Sequence, residues 1–353
     1  DIQTICKSMN RSSSDAFDLM EQNSNISLLE VVFYTATSTQ IQDRIKTYVN
    51  DLSVYEDNNL KIDLLELFTL VNYTSFCGVP CSMDMLYFYF SDCINSYEDI
   101  LYALGKMNRI IVESSDDDNY SCSQDYKAMR SKLFAEKSFN ILSHSMIARV
   151  MNKFLDNVGS QIVYRYDIFK RRAYDADLTQ KAFSLKNGKK FYEKVLANNG
   201  SPYVRQQYAL FLQRKKDYDM AWKQIDQAYT ECKKKIFSIA NTHAIIMFEM
   251  NIESNANTDE ELDMLKQTIE KSFSTLEFCI TQDIRINYHV LVYAKNAIRY
   301  YNKFGLDDYA GKYIASALFQ LSGVFASKDY IFPSRLRELK SLEKELKNIK
   351  LNV

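Results

Sequence analysis

The stretch VRQQYALFLQRKKDYDMAWKQIDQA, Val204–Ala228, decides the fold. Its apolar residues recur at helical spacing on both sides of the polar turn Arg214–Lys216, which predicts two helices joined by a short turn. Ala221 and Ala228 lie seven positions apart, so both fall on one face of the second helix. Because alanines at a crossing let two backbones approach closely, the stretch predicts an antiparallel helix pair.

The same spacing returns near the C-terminus, where Ala310 and Ala317 are again seven positions apart. Between these pairs, Ile236–Met250 and Leu262–Ile280 predict a third, degenerate pair with a polar insertion. The final segment, Pro333–Lys350, places leucines on one stripe and charges on the other face. Such a helix is typical of the cap that closes a repeat array.

The N-terminal half has a different order of elements. A strongly apolar helix begins near Ile62, and Ser82 and Ser96 are each placed to cap a shorter helix. The β-branched run Arg109–Glu113 and the alternating segment Lys132–Leu142 predict two strands around an acidic, serine-rich hairpin. Three helices followed by a two-stranded wing is the order of a winged-helix domain.

The predicted fold class is mostly all-α. A helical segment at 1–56 precedes a winged-helix domain with a small β-wing at 57–158 and an α-solenoid of tetratricopeptide-like helix pairs at 159–353. Only 8 glycines and 3 prolines occur in 353 residues, which favours long helices over turn-rich sandwiches and barrels. The chain opens at Asp1 without a methionine and already in mid-pattern, so we expect an excised fragment or a processed product.

Charge and cysteine usage limit the environment of the chain. The 44 Lys and Arg residues and 45 Asp and Glu residues give a net charge of −1, so no global field draws it to nucleic acid or an anionic membrane. No apolar run is long enough to span a bilayer. Seven scattered cysteines fit a reducing compartment, and we expect a cytoplasmic protein.

Motifs for catalysis are missing from the sequence. It contains neither a phosphate-binding GxxxxGK[ST] loop nor a GxGxxG turn, and it lacks a GxSxG nucleophile elbow. The three histidines stand alone, and Cys77 and Cys81 have no second pair at zinc-ribbon distance. We therefore predict a non-enzymatic chain with no catalytic residue, metal site or cofactor. An enzyme with an unrecognised site would instead show a pocket of convergent, perturbed carboxylates.

Nucleic-acid binding is the main alternative, because three basic clusters occur: Lys170–Arg172, Arg214–Lys216 and Lys233–Lys235. It would make the chain a winged-helix DNA-binding transcriptional regulator with a repeat sensor. The candidate recognition helix, Tyr97–Asn108, contains Glu98 and Asp99 but only Lys106 as a cation. Since phosphate contacts dominate DNA affinity, this helix favours protein contacts.

Tyrosine content points to a protein-binding surface. The chain has 25 tyrosines and 1 tryptophan, and several tyrosines cluster on the last repeat. Tyrosine offers a large, rigid contact area with a polar tip. We predict that the first helices of the pairs form a concave partner-binding face that includes Gln207, Tyr208, His243, Tyr293, Asn296 and Tyr300.

Four stretches resemble the C-terminal half of bacterial STAND ATPases of antiviral defence: Phe139–Ala148, Gly188–Glu193, Val204–Ala221 and Ile236–Ile246. The resemblance covers residues 60–250 best. It implies that the repeats recognise a foreign protein, such as a viral structural or packaging protein, and thereby release an upstream ATPase to oligomerise and an effector to act. It also implies that the winged helix packs on the nucleotide domain rather than on DNA. The ATP-binding motifs of that family have no match here, so this chain would be the recognition portion of a larger machine.

Overall fold

The computed structural model describes residues 45–107, 110–114, 125–233, 235–283, 286–327 and 330–351. The predicted fold class is confirmed, because the described chain is mostly α-helical with one small sheet. It divides into two compact units, residues 1–195 and 196–353. Residues 159–195, which the sequence pattern groups with the repeats, belong to the first unit. Most of the predicted helical segment at 1–56 lies outside the described residues.

The first unit combines α-helices with a three-stranded sheet. These helices are residues 45–53 (α1), Leu64–Phe76 (α2), Met83–Tyr89 (α3), Tyr97–Gly105 (α4), Lys132–Ile141 (α5), His144–Asn157 (α6), Tyr166–Ala173 (α7), Ala176–Ala182 (α8) and Leu185–Asn199 (α9), which crosses into the second unit. The strands Cys81–Ser82 (β1), Ile111–Glu113 (β2) and Tyr126–Met129 (β3) pair antiparallel in the order β1–β3–β2. The order α2, β1, α3, α4, β2, β3 is that of a winged-helix domain.

Local signals in the sequence explain where these helices begin and end. The Asp63 carboxylate accepts the first free amides of α2, and Ser82 caps α3. Ser96 and Asp99 form a reciprocal capping box at the start of α4. Gly78 follows α2 with a φ of 82°, a left-handed conformation in which a side chain would be strained. These residues fix the turns that order the winged-helix elements.

The prediction of a strand at Lys132–Leu142 is wrong, because this segment forms α5. Ala135, Phe139 and Leu142 are the apolar residues it buries, and their spacing of four and three is helical. Ser131 caps the N-terminus of the helix. The strand that pairs with β2 is β3, which starts six residues before the predicted strand, so the wing closes before Ser131.

Second-unit helices form consecutive pairs followed by a single final helix. They are Pro202–Arg214 (α10), Tyr218–Glu231 (α11), Phe237–Ile252 (α12), Asp259–Gln282 (α13), Ile286–Phe304 (α14), Asp308–Ala326 (α15) and Pro333–Leu351 (α16). Each of α10, α12 and α14 packs on its own pair partner. In addition, α10 packs on α12, α12 packs on α14, and α14 packs on the final helix, α16. We call α10, α12, α14 and α16 the first helices.

Burial confirms the packing predicted for the helix pairs. Tyr208, Ala221, Ile225 and Ala228 are all buried in the first pair, and the alanines at 310 and 317 are buried in the last pair. A single core cluster runs from α12 to α16. The final helix contributes one leucine stripe to it and presents a charged outer face, as expected for a helix that ends an array.

Candidate protein-binding surface

The six side chains predicted to contact a partner all lie inside the second unit. Their relative exposures range from 0 to 8 %, and the six are Gln207, Tyr208, His243, Tyr293, Asn296 and Tyr300. They stand on the first helices, as predicted, but the contacts between neighbouring first helices and their pair partners cover them. In this structure they therefore organise the packing beneath the surface.

His243 occupies a clamp between α11 and α12. Its ring lies 4.6 Å from the Trp222 ring and 4.5 Å from the Tyr229 ring, measured between centroids, and its Nε2 atom is 3.5 Å from an Asp226 oxygen. The three partners are spaced four and three residues apart, so they share one face of α11. The clamp fixes the packing of the second pair on the first.

Two of the predicted tyrosines are held by carboxylates. The Tyr293 hydroxyl donates to Glu277 at 2.8 Å, and the Tyr300 hydroxyl donates to Asp307 at 3.0 Å. Burial is the main reason that the pKa of each phenol is raised far above its usual range, so both remain neutral donors. Burial also acts to raise the pKa of Asp307, but hydrogen bonds from Lys266, the Ala310 amide and Tyr300 outweigh it and hold that pKa below its usual value.

Polar contacts form a seam along the first helices. Between α10 and α12, the Gln206 amide donates to the Thr242 hydroxyl at 2.8 Å and to the Ser238 carbonyl at 2.9 Å. Between α12 and α14, Arg299 makes a bidentate ion pair with Glu249, and this pair raises the pKa of the guanidinium. These directional contacts set the register of one pair on the next.

His289 joins three helices at the same seam. Its Nδ1 atom lies 2.9 Å from the Asn241 side-chain oxygen on α12, and its Nε2 atom lies 2.8 Å from the Asp283 carboxylate at the end of α13. His289 is buried. Both ring nitrogens are engaged by these neighbours, so the imidazole serves to bind α12, α13 and α14 together.

Exposed apolar side chains mark other surfaces: α4, which the sequence pattern predicts to favour protein contacts, and helix ends of the second unit, which the pattern does not single out. On α4, Tyr97, Leu101 and Tyr102 are 41–53 % exposed and share the helix with the exposed Glu98. The two lysines described beside this helix are both paired with carboxylates: Lys106 with Asp57 at 3.2 Å and Lys61 with Asp99 at 3.1 Å. Of the exposed aromatic residues described in the second unit, Phe278, Tyr288, Tyr330 and Phe332 lie near helix ends, whereas Phe319, which is 73 % exposed, lies within α15. Helical periodicity does not show which residues of different helices meet at one end of an array.

Neither a group of metal ligands nor a membrane-spanning helix is found in the described ranges. There, no three side chains of the metal-ligating types gather at a common site, and no helix is both long and apolar enough to cross a membrane. Burial raises the pKa of the Cys279 thiol to about 11, so it remains protonated at neutral pH. Comparisons of the chain with family models, with curated proteins and with solved structures gave no match. The functional conclusion therefore rests on the pattern of the sequence and on the geometry of these surfaces.

Proposed function

We propose that this chain is the protein-binding sensor portion of a STAND-type defence ATPase, and that it recognises a viral structural or packaging protein through its tetratricopeptide-like repeat surface. The observation that carries the proposal is the order of elements. A winged-helix arrangement, α2 to β3, is followed by three helix pairs and a final helix. This is the order that the family resemblance implies, and repeat arrays of this kind present extended surfaces for protein ligands.

The exposed face of α4 supports a protein neighbour for the winged-helix elements. A helix that reads DNA needs cations for the phosphates and polar groups for base edges. This helix instead exposes Tyr97, Leu101 and Tyr102 beside Glu98, and Lys106 is paired with Asp57. Apolar side chains with an acidic neighbour fit packing against another domain better than they fit a duplex.

A binding screen tests this proposal. The full chain is immobilised and exposed in turn to purified viral portal, terminase and capsid proteins, and to duplex DNA over a series of salt concentrations. We expect saturable binding of one protein class with weak dependence on salt. DNA binding that falls steeply with salt, without a protein ligand, would support the winged-helix transcriptional regulator instead.

A further inference from the structure

One end of the second unit brings together exposed apolar side chains from several turns. At this end α12, α14 and α16 begin and α11, α13 and α15 finish. The Phe237 and Phe278 rings lie 6.1 Å apart, Arg335 lies 5.4 Å from the Tyr288 ring, and the rings of Tyr330 and Phe332 are 5.4 Å apart. We call this end the aromatic rim; its large side chains, 44–66 % exposed, are Ile236, Phe278, Tyr288, Tyr330 and Phe332.

The contacts of the seam connect the rim into one surface. Cys279, next to Phe278, points its thiol toward the Phe237 carbonyl, which places the end of α13 against the start of α12. The His289 contacts join the start of α14 to both of these helices. The Arg335–Tyr288 contact adds the start of α16. The rim is therefore a continuous edge along the first helices, rather than a set of separate side chains.

Charge distinguishes the rim from the opposite end of the same helices. None of α12, α14 and α16 has an acidic residue in its first turn, so no carboxylate of these turns offsets the positive ends of their dipoles. At the opposite end, α11, α13 and α15 begin with acidic residues: Asp219, Asp259, Glu260, Glu261 and Asp308. The rim therefore carries the positive helix ends of α12, α14 and α16, and the opposite end carries acidic side chains.

Side-chain charges at the rim have the same sign as these dipoles. Lys233, Lys235 and Arg337 are exposed there, and Arg335 is partly exposed. The carboxylates described at this end are already engaged: Glu231 with Arg205, Asp283 with His289, and Glu338 with Lys295. The rim therefore combines apolar contact area with a positive potential.

We propose that the aromatic rim binds an extended acidic segment of the partner protein, one that places apolar side chains among the rim aromatics and carboxylates over the starts of α12, α14 and α16. The proposal rests on the proposed function and adds to it the location and chemistry of the contact. Carboxylates are favoured at helix N-termini, and aromatic side chains with arginine are the usual anchors of protein interfaces. Aliphatic Ile236 within the rim favours a peptide over stacked bases.

The test is selection of random twelve-residue peptides by display on the full chain, followed by affinity measurements. We expect the selected peptides to carry a net negative charge with interspersed apolar residues. The variants Tyr288→Ala and Phe332→Ala should each weaken binding by about 10-fold, and Arg335→Glu by at least that factor. Exposed residues at the opposite end provide matched controls, and Met264→Ala and Leu306→Ala should bind as the parent chain does.

Each of the other outcomes contradicts the proposal that the rim binds an acidic segment. Selected peptides without negative charge, or peptides that bind the rim variants and the parent chain equally, would overturn it while leaving protein recognition intact. No selected peptide at all would also overturn it, whereas failure of the folded viral proteins to bind would count against the proposed function. Competition of the selected peptides by single-stranded DNA at the rim would assign the surface to nucleic acid. Tyr288 and Phe332 are exposed and Arg335 is partly exposed, and far-UV circular dichroism checks that each variant folds.

Discussion

Replacing Glu66 tests the polar network that holds α6 against the winged-helix elements. Glu66 is 2 % exposed, and its carboxylate accepts the Tyr89 hydroxyl of α3 at 2.8 Å and an Arg149 nitrogen of α6 at 2.6 Å. Lys153 of α6 lies 3.7 Å from it and also pairs with Asp92 at 2.9 Å. The carboxylate therefore joins α2, α3 and α6 through one buried group.

The magnitude follows from what each change leaves behind. Glu66→Gln keeps an acceptor for the Tyr89 hydroxyl but loses the charge, which should lower the free energy of unfolding by about 1–2 kcal/mol. Glu66→Ala also removes the acceptor of the buried Tyr89 hydroxyl and of Arg149, whereas Lys153 keeps its pair with Asp92. Breaking a buried pair costs about 3–5 kcal/mol, and because the Arg149 side chain is 58 % exposed and can rehydrate, we expect about 3 kcal/mol.

Urea unfolding followed by far-UV circular dichroism measures the change, and hydrogen exchange locates it. Protection should fall in α2, α3 and α6 but not in α14 and α15. Asp92→Asn is the matched control, since the Asp92 side chain is 61 % exposed and shares Lys153, and it should cost less than about 0.5 kcal/mol. A cost for Asp92→Asn equal to that for Glu66→Gln, or no measurable cost for Glu66→Ala, would refute the reasoning.

Three other predictions concern packing, thiol reactivity and pH. Ala228→Leu, at the buried crossing of α10 and α11, should destabilise the chain by about 1–3 kcal/mol in thermal unfolding, while the exposed Gln227→Leu should be close to neutral. Alkylation at pH 8, followed by mass spectrometry, should modify exposed Cys93 well before buried Cys279, whose pKa is raised to about 11; equal rates would contradict this. Because the pKa of Asp307 is lowered, its stabilisation is present above about pH 4 and is lost as the pH falls through the folded value. Asp307→Asn, which retains a helix-capping side chain, should therefore flatten the fall in stability in acid, and an unchanged profile would exclude this role.

Helix pairs were predictable because their packing requires small residues at fixed intervals. Ala221 and Ala228 are buried as their spacing indicates, and the two segments of the middle pair form α12 and α13. The segment at Lys132–Leu142 was not predictable in this way. Its apolar residues fit both a period of two and a helical period over so short a length, and only the packing of Ala135 and Phe139 against the core decides between them.

Placement of the candidate site residues needed information that spacing does not contain. Tyr293 and Tyr300 stand on a first helix, but whether that helix shows them to solvent depends on how closely α12 and α15 approach it. The aromatic rim is the opposite case, because its residues are exposed but the sequence pattern did not group them. Tyr288 and Phe332 come from different turns, and no local pattern connects residues that only the stacking of helices brings to one end.

The clamp around His243 equips the chain with an intrinsic optical reporter. Trp222 is the single tryptophan of the chain, and its indole lies 4.6 Å from the His243 ring, measured between centroids. Tryptophan fluorescence consequently originates from one place, the interface of α11 and α12. A ligand that changes the packing of α11 on α12 would change the surroundings of this indole, so its binding could be followed in unlabelled protein.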